Sequence, residues 1–156
     1  MNTFGEKIRV TVFGQSHAPA IGVTVDGLPC GVSIDQEELY KFMLRRAPGT
    51  SNTSTSRKEA DRPVIVSGLN DKGLTCGAPL TALIYNSDAH SKDYSGLFMR
   101  PRPSHADFPA WIRYGENYDI RGGGQFSGRL TAPLCIAGGI LMQILKAKGI
   151  HIGAHI

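Results

Sequence analysis

The sequence has few cysteines, no long apolar run and no basic stripe, and each absence excludes a class of protein. Its three cysteines are odd in number, far apart and without a C-x-x-C pair, which argues against a disulfide framework and a zinc site. No apolar stretch reaches the roughly 20 residues of a membrane span. The residues after Met1 lack the apolar core of a signal peptide. We therefore expect a cytoplasmic protein with no metal site and no membrane contact.

The balance of charge is only mildly basic, with 17 Lys and Arg against 13 Asp and Glu and a net charge of +4. The arginines occur in small groups and not in a stripe interleaved with aromatics, so we do not expect nucleic-acid binding. A small phosphorylated or carboxylated partner fits this charge, and so does an ordinary solvated surface.

A chain of 156 residues supports one domain with a core of its own, and we assign residues 1–156 to it. The 19 glycines and 9 prolines follow no repeat and predict many turns. Residues 49–61 are polar and rich in Ser and Thr, which predicts a mobile loop.

Period-2 alternation of apolar residues predicts strands around residues 8–12 and 21–25. Short β-favouring runs bounded by Pro and Gly predict two more, over 64–67 and 80–85. Residues 150–156 also alternate as a strand and stop on an apolar residue, which we interpret as truncation or as an edge that needs a partner chain.

Two helices are predicted. Asp35 and Glu38 form a capping-box pattern before a helix that ends at Arg45-Arg46. Residues 127–148 are apolar and helical in composition and stop at a glycine, as expected of a buried helix. Gly138 and Gly139 weaken this helix unless something packs closely there. The mixture of strands and helices predicts an α+β fold.

The first candidate for chemistry is the dipeptide Ser16-His17, in a loop longer than two adjacent strands need. Histidine transfers protons near neutral pH. A histidine that only satisfies loop carbonyls fits the same pattern. A Ser-His hydrolase is disfavoured because adjacent residues on an extended chain point apart and no nucleophile elbow is present.

The second candidate is the run from Arg102 to Asp107, in which His105 has a carboxylate two residues away. Pro103 fixes part of the backbone that leads to the histidine. The same pattern is typical of a turn whose aspartate caps a following helix, so both interpretations stay open.

The third candidate is the triple glycine Gly122-Gly123-Gly124, bracketed by Arg121 and Arg129. Successive backbone N–H groups leading into a helix form an anion site. Guanidinium forks suit phosphate or carboxylate. A flexible linker before a packing helix is the alternative.

These elements together resemble the chorismate synthase family. The resemblance rests on motifs in one order, from about residue 5 to the end: Gly14-Gln15-Ser16-His17-Ala18, Asp26-Gly27-Leu28-Pro29, Arg45-Arg46-Ala47-Pro48-Gly49-Thr50-Ser51, Ser67-Gly68, Gly73-Leu74-Thr75-Cys76-Gly77-Ala78-Pro79, Asn86-Ser87-Asp88, Lys92-Asp93-Tyr94-Ser95, Arg102-Pro103, His105-Ala106-Asp107, Tyr114-Gly115 and the triple glycine with Arg129 and Thr131. No one motif is specific by itself, but their order is.

The resemblance implies an anti-1,4-elimination that converts 5-enolpyruvylshikimate-3-phosphate into chorismate and phosphate, in the shikimate pathway of aromatic amino acid biosynthesis. It implies reduced FMN as cofactor, with NADPH as a source of electrons for it. His17 would protonate or hold the departing phosphate, and His105 would serve the flavin. The substrate-binding residues would be Ser16, Arg46 and Arg129, and the flavin-binding residues Gln125, Phe126 and Ser127.

The resemblance also implies a β-α-β sandwich, of which this chain would be the amino-terminal part, and a homotetramer. Gln15, Ala18, Asn52 and the segment 125–128 depart from the family pattern. The family's proteins are more than twice as long, so we expect an incomplete active site. A non-catalytic anion-binding or assembly module derived from the same fold is the alternative.

Overall fold

The computed structural model describes residues 2–46, 61–86 and 100–155. Five antiparallel strands form one sheet in the order β1-β2-β3-β5-β4. The strands are β1 (Thr3–Phe4), β2 (Arg9–Gly14), β3 (Ala20–Asp26), β4 (Val64–Ser67) and β5 (Leu80–Tyr85). The helices are α1 (Gln36–Leu44), α2 (Asp107–Tyr114) and α3 (Thr131–Lys146). The predicted α+β fold is confirmed, as are the four predicted strands within one or two residues at their ends.

The centre of the sheet is β3, which pairs with β2 on one side and β5 on the other. Its alternate residues Ile21, Val23 and Val25 are fully buried on the face that meets the helices. The opposite face is more polar: the hydroxyls of Thr24 and Thr81 lie 3.0 Å apart across the β3–β5 pair. The alternation read from the sequence therefore decides which face of the sheet joins the core.

Helix α1 begins as predicted, but its capping box is incomplete. The carboxylate of Asp35 accepts hydrogen bonds from the N–H groups of Glu37 and Glu38, both at 2.9 Å. The Glu38 side chain does not return to the Asp35 N–H. That N–H donates instead to Gln143 of α3 at 2.8 Å, while Glu38 pairs with Lys146 at 2.9 Å. Tertiary partners from α3 have replaced the local bond.

Helix α3 is the predicted apolar helix, preceded by a 3₁₀ turn over Gly128–Leu130. One of its two glycines has a packing reason: a β-carbon at Gly139 would stand 2.6 Å from Leu39 Cδ1 and 3.0 Å from Phe42 Cδ1 of α1. At Gly138 no atom of the described residues outside the helix's own backbone lies within 4 Å of that position. Gly139 therefore permits the close approach of the two helices.

The stretch from Arg121 to Lys146 is apolar and long enough, by length and composition only, to cross a membrane. In this structure it is broken by three glycines with non-helical backbone. Its helical part buries Ile136 and Ile140 against the sheet and α1. These contacts are those of the core helix of a globular domain.

Two further predictions from the sequence concern residues 150–156 and 49–61. Residues 150–155 are exposed and lie in no strand, so the strand predicted there is wrong for them. Alternation cannot make a strand without a neighbour to accept its hydrogen bonds, and none of the described strands pairs with this segment. The loop predicted over 49–61 and the departure at Asn52 fall outside the described residues, except for Asp61.

Candidate active site

The loop that follows β2 contains Ser16 and His17 and is hydrogen-bonded to Gly124 and to Asn86. The Ser16 N–H donates to the carbonyl of Gly124 at 3.1 Å. On the other side, the side-chain amide of Asn86 donates to the carbonyls of Gln15 at 3.2 Å and Ala18 at 2.8 Å. Asn86 is the residue after β5, so the sheet itself sets the position of the histidine loop.

The triple glycine is where both candidate histidines meet. A β-carbon added at Gly122 would stand 2.5 Å from Ser16 Oγ and 2.8 Å from His17 Nε2. One added at Gly123 would stand 2.8 Å from His105 Nε2. Residues Gly122–Gly124 all have positive φ. Only glycine combines this backbone with so close an approach of two side chains, so the sequence motif brings the two imidazoles to adjacent residues.

The glycines do not form the helix-terminus anion site expected from the sequence. The Gly123 N–H donates to the carbonyl of Ile120 at 3.0 Å, and α3 begins only at Thr131. The intervening 3₁₀ turn is capped by Ser127, whose hydroxyl accepts from the Arg129 N–H at 3.2 Å. The expected helix terminus is therefore absent at the glycines, because their positive-φ backbone turns the chain. Anion binding by this turn stays a prediction.

His105 belongs to a charged cluster with Arg102 and Asp107. Its Nδ1 lies 2.9 Å from Asp107 Oδ1. Arg102 donates to the same carboxylate from its backbone N–H, its Nε and its Nη2, at 3.0, 2.8 and 2.9 Å. These hydrogen bonds, against the effect of burial, lower the pKa of Asp107 from 3.8 to about 2. Asp107 is the first residue of α2, and the described contacts of its carboxylate run to Arg102 and His105, which favours the pairing interpretation of this motif.

A second carboxylate lies near His17. Asp119 accepts hydrogen bonds from Arg121 Nε at 2.8 Å and Nη2 at 2.9 Å. The hydrogen bonds from Arg121 lower the pKa of Asp119, and the charge of His17 adds a smaller effect in the same direction. Arg121 is therefore occupied by a protein carboxylate.

The two arginines predicted to bind substrate meet at a third carboxylate. Asp61 is completely buried and accepts from Nη1 of Arg46 with one oxygen and from Nη1 of Arg129 with the other. The Arg129 side chain is 4% exposed and also donates from Nε to Asn86 Oδ1 at 3.3 Å. The Arg46 side chain is 24% exposed and donates to Thr131 Oγ1 at 3.3 Å. Arg46 is thus the more accessible of the two cations.

The segment predicted to bind flavin divides between two cavities. Gln125 and Ser127 border a cavity of about 230 Å³ beside Leu130 and β2. Gln125 also borders a polar cavity of about 250 Å³ with Gln15 and Asp119. Phe126 is 42% exposed, and its ring centroid lies 6.5 Å from that of Tyr114. The segment presents an amide, a hydroxyl and an aromatic face to solvent-filled space.

Comparison with known proteins agrees with this arrangement. The family model described as "Chorismate synthase" matches residues 8–156. The chain belongs to the chorismate synthase family. A curated chorismate synthase of Lancefieldella parvula is 52% identical over 155 residues, covering 99% of this chain and 40% of its own length. That of Bordetella avium is 50% identical over 147 residues, covering 94% of this chain and 41% of its own length.

A crystal structure of chorismate synthase matches with a TM-score of 0.68 at 25% identity, covering 95% of this chain and 37% of that one. The fold and the sequence of this chain therefore both match chorismate synthase. The chain spans about two fifths of the length of the curated chorismate synthases it matches.

Within the chorismate synthase pattern, sequence reasoning missed two of the residues that arrange the site, Asn86 and Asp61. Asn86 and Asp107 stand inside motifs, but no role was assigned to Asn86. Asp61 has no visible signal, since it follows Lys58 and Glu59 in what looks like a solvated charged run. Among the residues the structure describes, no three His, Cys, Asp or Glu side chains are placed to hold a metal ion.

Proposed function

We propose that this chain supplies the histidine- and arginine-bearing part of a chorismate synthase active site. The reaction is the anti-1,4-elimination of phosphate from 5-enolpyruvylshikimate-3-phosphate to give chorismate. The observation that supports the proposal most is the packing of His17 and His105 on adjacent glycines, Gly122 and Gly123. Two groups capable of proton transfer, from distant parts of the chain, thus pack against one turn, and each can act as a general acid or base.

Each histidine has its own surroundings, which favours separate roles. His17 lies in the loop fixed by Asn86 and beside Asp119. We assign to it the proton, or the positive charge, that meets the departing phosphate. His105 is fixed by Asp107. We assign to it the proton exchanged with the cofactor.

The anionic groups of the substrate require cations, and the arginines on Asp61 are the proposed source. Arg46 is partly exposed and would make the direct contact, since a guanidinium binds carboxylate or phosphate with two donors. Arg129 and Ser16 are proposed to complete this pocket from behind, because both are buried.

The residues present fit reduced FMN as one wall of its site. Gln125 and Ser127 provide hydrogen-bonding groups and Phe126 an exposed ring, while the adjoining cavities, about 230 and 250 Å³, are smaller than the 300 to 1,000 Å³ usual for ligand pockets. When bound, the reduced flavin would supply transient electron transfer that helps phosphate to leave. Gln125 and Ser127 would hold it, and His105 would exchange the proton.

Family membership supports a small-molecule substrate. A homotetramer, a cytoplasmic location and flavin reduction by NADPH are further parts of the proposal. Light scattering of the purified chain measures the first of these directly: a mass four times 16.8 kDa is expected. A monomer would remove the tetramer from the proposal for this chain.

The test of the reaction uses a chimera in which residues 1–156 replace the matching part of the L. parvula relative. Chorismate formation is followed with reduced FMN under anaerobic conditions. We expect turnover, and a loss of about 10²- to 10⁴-fold in both His17→Ala and His105→Ala. His151→Ala, which changes an exposed histidine, is the matched control. A folded chimera that forms no chorismate contradicts the proposal.

The alternative is a non-catalytic anion-binding module, which the small flavin-side cavities favour. Fluorescence titration of the chain with FMN and calorimetry with inorganic phosphate separate the two. Phosphate binding without any FMN binding by the chain or the chimera supports the module. FMN binding at micromolar concentration contradicts it.

A further inference from the structure

The backbone around His105 is folded so that a buried carboxylate faces its ring. Ser104 has φ 60°, a conformation uncommon for a residue with a side chain. This turn returns the chain so that the Arg102 N–H reaches Asp107 Oδ2 at 3.0 Å. Strain of this kind persists where surrounding contacts hold it, and here the Arg102–Asp107 contacts do so.

The carboxylate of Asp107 has little freedom. It is 1% exposed, and Arg102 holds both of its oxygens through three hydrogen bonds. Its lowered pKa keeps it ionised throughout the neutral range. An ionised carboxylate only accepts hydrogen bonds.

The distances around His105 Nδ1 decide which ring nitrogen bears the proton. Nδ1 lies 2.9 Å from Asp107 Oδ1 and 3.4 Å from Arg102 Nη2. If Nδ1 were unprotonated, its lone pair would face a carboxylate oxygen at 2.9 Å, and the donor that the described residues offer it would be the guanidinium of Arg102 at 3.4 Å. The shorter contact therefore requires hydrogen on Nδ1.

The other ring nitrogen then becomes the one that gains and loses a proton. Nε2 points at the triple glycine, since a β-carbon at Gly123 would stand 2.8 Å from it. His17 Nε2 is equally close to the corresponding position at Gly122. With hydrogen on Nδ1, the nitrogen of His105 that carries the lone pair is therefore directed at Gly123, next to the glycine against which His17 packs.

We propose that Asp107 is a positioning residue that holds His105 in the Nδ1–H tautomer, with Nε2 directed at the glycine turn, and that Arg102 holds Asp107. The catalytic meaning of this arrangement rests on the proposed function. The tautomer itself does not, because it is a property of the chain without substrate or flavin.

The experiment is long-range ¹H–¹⁵N correlation of the histidine rings in the ¹⁵N-labelled chain, at a pH near ~8.5, where ordinary imidazole is neutral. His105→Gln assigns the ring. We expect Nδ1 of His105 to have the shift of a protonated nitrogen and Nε2 that of an unprotonated one. His151 and His155, both exposed, are internal references for an unfixed ring. A wild-type His105 whose Nε2 is protonated, like an unfixed ring, overturns the proposal.

Asp107→Asn gives the second measurement. Arg102 will retain the amide oxygen, so the amide NH₂ will face Nδ1 and the tautomer is expected to invert to Nε2–H, as in other His–Asp pairs changed this way. Asp119→Asn, which removes another arginine-bound carboxylate, should leave the His105 signals unchanged. Retention of Nδ1–H in a folded Asp107→Asn chain contradicts the role of Asp107. If that variant does not fold, the wild-type spectrum still shows which ring nitrogen of His105 bears the proton, and so tests the proposed tautomer.

Discussion

Gly123 lies against the imidazole of His105, and no side chain could be placed between them. An added β-carbon would stand 2.8 Å from both Cε1 and Nε2 of the ring. A β-carbon added at the preceding residue, Gly122, would likewise stand 2.8 Å from Nε2 of His17. A motif that looks like an anion-binding turn in the sequence thus also packs closely against two candidate catalytic groups, one on each of two adjacent residues.

Replacing either glycine tests this device. We expect Gly122→Ala and Gly123→Ala each to lower the free energy of unfolding by about 2 to 4 kcal/mol, since φ is positive at both and the new methyl group overlaps a histidine ring. Gly128→Ala is the control, because in the described part of the chain no atom beyond its sequence neighbours lies within 4 Å of its β-carbon position, and its φ is not positive. Urea unfolding measures the three differences. Equal effects at all three sites would contradict the packing argument.

The two glycines of α3 form a matched pair with opposite expectations. Gly138→Ala should stabilise the chain by about 0.5 to 1 kcal/mol, because it removes backbone freedom from the unfolded state and meets no neighbour. Gly139→Ala should destabilise it by about 1 to 3 kcal/mol, because the methyl group meets Leu39 and Phe42. Thermal unfolding of both variants checks the sign. Stabilisation by Gly139→Ala would show that α1 moves aside at little cost.

Asp61 is expected to be a major contributor to stability. Asp61→Asn leaves Arg46 and Arg129 facing a neutral group in a buried place, a change that costs about 3 to 5 kcal/mol when one partner of a buried ion pair is removed. Glu37→Gln breaks the exposed pair with Arg62, at 3.1 Å, and should cost less than about 1 kcal/mol. Chemical unfolding compares the two. A small effect at Asp61 would mean that the arginines do not depend on it.

The lowered pKa of Asp107 predicts a specific acid sensitivity. Because its folded value, about 2, lies below its ordinary value of 3.8, its contribution is complete above about pH 5 and is lost as pH falls toward 2. That contribution is about 2 kcal/mol. We therefore expect the stability difference between wild type and Asp107→Asn to shrink between pH 5 and 2, measured by urea unfolding at several pH values. A difference independent of pH would contradict the assignment.

Local patterns predicted much of the fold because the physics behind them is local. Alternation along residues 21–25 decides which side chains face the core. Asp35 caps α1 by accepting hydrogen bonds from the N–H groups of Glu37 and Glu38, two and three residues further along the chain. The prediction for Glu38 failed where a distant residue, Gln143, competed for the same N–H. The strand predicted over 150–156 failed for a similar reason: a strand exists only with a hydrogen-bonding neighbour.

In the candidate site too, the sequence predicted some features and the structure alone shows others. The full series of motifs in its order along the chain, with those of His17, His105 and the triple glycine among them, was enough to identify the family. Their chemistry in the chain depends on contacts that no spacing reveals: the imidazoles on adjacent glycines, the carboxylate of Asp107 against Nδ1, and Asp61 between two arginines.

The sequence by itself determined the family, the strands β2 to β5 with the helices α1 and α3, and the apolar faces that form the core. Only the tertiary structure decided which charged groups are neighbours. Two ion pairs join Arg46 and Arg129 to the buried carboxylate of Asp61, although Asp61 and Arg129 are 68 positions apart in the sequence. The reason is physical: hydrophobic patterning acts on each element separately, whereas the partner of a buried charge is set by how the elements pack together.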